Sequence, residues 1–170
     1  MKGGTGILNM PPEIILYIVE GMDDCLDIMN FAQTNKKNHD IIKNHIMSIG
    51  LRIGLFTDDD IKKKDYEAKD DYQHFVNKCY QKQKDEFLAQ HPDYNTDTFS
   101  GKNPGDFHKY VIKPYNQLKE AGFNNEFRII DILNIITKNS GVNIIEQAIQ
   151  LKNENMSEFE IVDILKSTNR

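Results

Sequence analysis

Apolar positions in this chain recur in steps of one and three, the period of helices with one buried side, over a succession of short windows. The first window holds Ile14, Ile15, Ile18, Val19 and Met22. Pro11 and Pro12 fix two φ angles near the helical value, and Glu13 places a negative charge in the first turn, so a helix is predicted to start at or beside Pro12 and to end at Gly21. Leu16 and Tyr17 add large apolar groups outside that stripe. The run is therefore more apolar than one helix of a small solitary bundle needs to be, and this surplus points to a partner.

Asp24 can cap a second helix that buries Cys25, Ile28, Phe31 and Ala32. Residues 35–38 are expected to form a tight polar corner, and a third helix is predicted from Ile41, through Ile42, His45 and Ile46, to Gly50 or Gly54. Thr57 to Asp60 resembles a capping box that opens a charged helix. The expected inward set between Ile61 and Gln90 is Tyr66, Tyr72, Phe75, Val76, Cys79, Tyr80, Phe87 and Leu88. Residues 91–105 are rich in turn formers and read as a long loop, a candidate for recognition. Helical spacing resumes from Asp106 to Glu120, where Pro114 is expected to kink or break the helix. The stretch 125–136 predicts a central helix ending at Asn139-Ser140-Gly141, followed by a helix over 143–152. Ser157 and Glu160 form a capping box for a last helix, Phe159 to Ser167. No period of 30 to 40 residues marks a repeat array. The expected fold is all-α.

The opening window also resembles a known family. Met10-Pro11-Pro12-Glu13-Ile14-Ile15-Leu16-Tyr17-Ile18 is similar to the start of an F-box, in which a proline, a glutamate and an aliphatic helix follow a hydrophobic residue. Met22 corresponds to the residue closing the first helix, Asp24-Cys25-Leu26 to the opening of the second, and residues 32–36 to the small-polar-basic turn. Asn38 stands where many members carry tryptophan, a residue this chain lacks. The resemblance covers about a quarter of the chain, from Met10 to about His45. It implies a three-helix F-box-like head over residues 8–50 that binds the adaptor Skp1, and a helical region over 51–170 that holds a substrate or partner. Through Skp1 the protein would join a cullin-RING (SCF) ubiquitin ligase as its non-catalytic substrate-recruiting subunit. The residues this assigns to Skp1 are Met10, Pro11, Ile14, Ile15, Ile18, Met22, Leu26, Ile28, Met29 and Phe31, those of the second helix being shared with the local core. The alternative is a helical binding module that sequesters Skp1 or another partner without ubiquitination.

Composition narrows the remaining classes. The net charge of −5 argues against a general nucleic-acid binder, which needs clustered lysine and arginine. No apolar run approaches the ~20 residues of a membrane span, and the first residues have no apolar leader core, so a soluble cytoplasmic protein is expected. The abundance of Asn, Ile, Lys and Asp reads as an A/T-rich coding bias, common in large viruses and intracellular microbes, which would make the compartment a host cytoplasm. Cys25 and Cys79 have no Cys or His at ligand spacing and are expected to be reduced and metal-free. The histidines His39, His45, His74, His91 and His108 are scattered, without a metal-binding pair, and are expected to be surface or packing residues. Asp93, Asn95 and Asp97 imitate the start of a calcium loop, but Thr98 occupies the glycine position and Pro104 that of the closing glutamate. Neither a catalytic constellation nor a cofactor site is expected.

Overall fold

The computed structural model describes residues 10–63, 68–99, 101–139 and 143–169. Among the described residues the fold is all-α, with ten α-helices, one 3₁₀ turn, one π-helical turn and no strand. The expectations that fall on Tyr66 and on Ser140-Gly141 lie outside the described residues. The chain forms two compact units, Met1–Cys79 and Tyr80–Arg170. The boundary between these units lies after Cys79.

The first unit contains α1 (Pro12–Glu20), α2 (Cys25–Ala32), α3 (Lys36–Asn44), α4 (Ile46–Arg52), α5 (Asp58–Lys63) and the first half of α6 (Asp71–Gln90). Helices α1 and α2 both pack on α3. Ile15, Val19, Ile28, Met29, Ala32, Ile42 and Ile46 are almost wholly removed from solvent. The Asp24 carboxylate accepts from the Leu26 amide at 2.8 Å, which starts α2 as expected.

Residues 35–38 do not form a corner. Asn35 caps α3 by accepting from the Asn38 amide at 2.9 Å, so the third helix begins five residues before Ile41. Asn38 is fully buried, and its side-chain amide donates to the Thr34 hydroxyl at 2.9 Å. Gly50 lies inside α4 rather than at its end, and the close approach of Phe56 requires glycine there, since a Cβ would sit 2.5 Å from the ring. The turn falls at Gly54, whose φ of 77° suits glycine.

The cysteines also depart from expectation: Cys25 and Cys79 form a disulfide across 54 residues of chain, with Cα atoms 5.8 Å apart. The fold places the first residue of α2 against the middle of α6, a proximity that no short sequence spacing encodes.

The second unit holds the rest of α6, a 3₁₀ turn (Thr96–Thr98), a π-helical turn (His108–Ile112), α7 (Lys113–Glu120), α8 (Glu126–Asn139), α9 (Asn143–Asn153) and α10 (Glu158–Thr168). Pro114 does not break the chain. It sits in the first turn of α7, and the wider turn before it, closed by the Lys113 amide on the His108 carbonyl, leads into that helix. Within the expected loop, Tyr94 is buried and meets the rings of Phe87 and Phe107 edge to face. Helices α8 and α10 run parallel. Glu158, opening α10, accepts from the Asn124 and Asn125 amides just before α8, while Lys138, Asn139, Lys166 and Asn169 line one cleft at the opposite ends. Ser157 caps α10 by accepting from the Glu160 amide, as expected.

Candidate partner-binding face

Helix α1 is apolar on two sides. Ile15 and Val19 enter the core, at 0% and 1% exposure. At 100° per residue, Ile14, Tyr17 and Ile18 fall together on another face. Ile14 is 45% and Tyr17 74% exposed, and Ile18 is half-buried. Pro11 is exposed and Met10 half-buried at the entrance of the helix, where Lys37 of α3 donates to the Met10 carbonyl at 2.5 Å.

The ten residues assigned to Skp1 therefore do not form one surface. Met10, Pro11, Ile14 and Ile18 lie along the outer side of α1, and Tyr17, which that assignment omitted, is the most exposed apolar residue among them. Ile15, Ile28 and Met29 are core residues with no surface to offer a partner. Met22 is half-buried where α1 ends. Leu26 and Phe31 are half-buried on opposite flanks of the stripe through which Cys25, Ile28, Met29 and Ala32 bury α2.

The last turn of α1 has a partner that its sequence does not announce. Arg52, closing α4, donates from Nη2 to the carbonyls of Val19 and Met22, each at 2.9 Å, and places Nη1 3.3 Å from Asp23. The Val19 carbonyl also accepts from the Met22 amide at 2.9 Å, so Arg52 adds a second donor where α1 ends. Beside it, Leu16, Val19, Glu20, His45, Ser48, Ile49 and Arg52 line an open cleft of roughly 240 Å³. The cleft lies between α1 and α4.

Two polar clusters lie elsewhere. In the first unit, Asp60 accepts from Lys78 Nζ at 2.7 Å and from the Thr57 amide at 2.8 Å, with His74 Nε2 at 3.1 Å. Lys78 chiefly, then Thr57 and His74, hold its carboxyl far below the ordinary carboxylate range. In the second, burial above all, together with the hydrogen bond that Tyr115 donates to Glu126, raises the phenol well above its usual value. His91 Nδ1 lies 3.5 Å from the same carboxylate. His74 and His91 thus belong to packed clusters, the first stacked on Phe56 and the second against Phe87 and Tyr115. No group of three His, Cys, Asp or Glu among the described residues could hold a metal ion. No described helix is long and apolar enough to cross a membrane.

No protein family, curated protein or solved structure matches this chain.

Proposed function

We propose that the protein is a non-catalytic helical binding module that captures a partner protein through the outer face of α1, with Skp1 as the first candidate partner. The observation carrying this reading is the exposure of Ile14 and Tyr17 on a helix whose opposite side already supplies the core with Ile15 and Val19. A helix that only closed its own unit would need one apolar side. Large aliphatic and aromatic groups on a second side suit a protein interface, where each fully buried side chain is worth about 1.5 to 3 kcal/mol before the costs of association.

The choice of Skp1 rests on the resemblance of Met10-Pro11-Pro12-Glu13-Ile14 to the F-box opening. The same match favours a second reading, in which capture of Skp1 makes the chain a substrate-recruiting subunit of a cullin-RING ligase and the helices beyond the head hold the target. The two readings diverge on whether cullin and RING subunits accompany the adaptor and whether a bound protein becomes ubiquitinated. Ile14→Asp and Tyr17→Asp change exposed positions, so helix content should persist. Together they are expected to weaken partner binding by at least about thirtyfold, the equivalent of roughly 2 kcal/mol. Copurification of Skp1 with the double variant at wild-type yield would overturn the assigned face.

A further inference from the structure

The first half of α6 joins its unit through few buried side chains: from Asp71 to Cys79 they are His74, Phe75 and Cys79. One of the three is itself half of the disulfide. Phe75 meets the Phe56 ring edge to face and His74 stacks on it, and further attachments are polar or made at a ring edge. Asp70, just ahead of the helix, lies 3.6 Å from Lys43, Tyr72 meets the His39 ring edge-on at 4.8 Å, and His74 and Lys78 reach Asp60. Removing the covalent bond leaves Phe75 as the only fully buried apolar anchor in this half-helix, apart from the Cys79 thiol itself. The disulfide meanwhile closes a long loop, 54 residues from end to end, which is where a cross-link constrains the opened chain most.

We propose that Cys25–Cys79 is a redox latch that holds the first half of α6 on α2 and releases it when a dithiol reductant opens the bond. One reductant thiolate attacks one cysteine sulfur and expels the other as a thiolate; the second reductant thiol then resolves the mixed disulfide. Two electrons and two protons pass to the protein, which gains two thiols, and the reductant leaves as its own disulfide. Cys25 and Cys79 are 2% and 0% exposed, so attack proceeds through local opening of the half-helix rather than from the closed state. This inference stands apart from the partner-binding reading, since it concerns α2 and α6 and not the outer face of α1.

The test uses the full chain in dithiothreitol without denaturant, with thiol titration and amide hydrogen exchange. Two thiols should appear per chain, and exchange over residues 71–79 should accelerate at least about tenfold while α8 and α10 keep their protection. The double variant Cys25→Ala, Cys79→Ala should exchange at the fast rate without reductant and not respond to it. The latch is overturned if the bond opens only at denaturant concentrations that unfold the whole chain, or if residues 71–79 exchange as slowly in the reduced protein and in the double variant as in the oxidised one.

Discussion

Asp60 draws Thr57 of its own capping box, His74 and Lys78 to one carboxylate, and its side chain is 16% exposed. Replacing it by asparagine removes the charge that Lys78 faces and should destabilise the first unit by about 2 kcal/mol, a typical cost of stripping a charged hydrogen-bond partner from a partly buried site. The folded-state pKa lies below the ordinary 3.8, so the stabilisation is present at neutral pH and is lost as pH falls below that value. Urea titrations at pH 7 and pH 3 should therefore show a larger gap between the two pH values for wild type than for Asp60→Asn; equal gaps would remove Asp60 from the acid response. The Thr57 to Asp60 capping box is legible in the sequence because its members are three residues apart, whereas Lys78, 18 residues away, is not. The Arg52 clamp on α1, whose acceptors lie 29 to 33 residues away, is illegible for the same reason. Lys78 and Arg52 find their partners only after the helices pack.

Helix starts at Pro12, Asp24, Thr57 and Ser157 are legible, since the prolines fix φ and the other three accept from amides within three residues, whereas Asn35, an equally local cap, reads as part of a corner. Helix ends and interruptions were read less well. Of the two glycines expected to end the third helix, Gly54 takes the turn, while Gly50 serves close approach to Phe56, whose amide and that of Leu55 both return to the Gly50 carbonyl at 2.9 Å. Gly50→Ala should thus cost about 1 to 3 kcal/mol by forcing the Phe56 ring aside, even though alanine favours helix; a thermal midpoint at or above wild type would show that the ring yields freely. Pro114 looked like a breaker, yet the π-helical turn before it accommodates its missing donor. In the second unit the parallel pairing of α8 and α10 depends on Glu158, which accepts from two amides ahead of α8. Glu158→Ala should lower that unit's stability by about 2 kcal/mol, read as faster hydrogen exchange at the start of α8. Unchanged exchange there would mean that solvent satisfies those amides equally well.

For the whole molecule, the all-α class followed from repeated helical spacing, and the candidate face followed from the excess of apolar residues in its first window. The spacing could not say which of those residues the chain consumes itself: Ile15, Ile28 and Met29 went to the core, while Ile14 and Tyr17 were left outside. Nor could it bring together two cysteines that meet only when α2 packs against α6. The disulfide also bears on where the protein works, because such bonds form and persist mainly in oxidising compartments, whereas the cytoplasm expected from the sequence is reducing. Partner capture is therefore best measured in both redox states. The most direct test coexpresses the full chain with Skp1 and applies size-exclusion chromatography with light scattering, oxidised and reduced, alongside the Ile14→Asp, Tyr17→Asp double variant. The account predicts a 1:1 complex with the wild-type chain that the double variant loses while keeping its helical circular dichroism. A wild-type chain that elutes as a free monomer beside Skp1 in both redox states would contradict it.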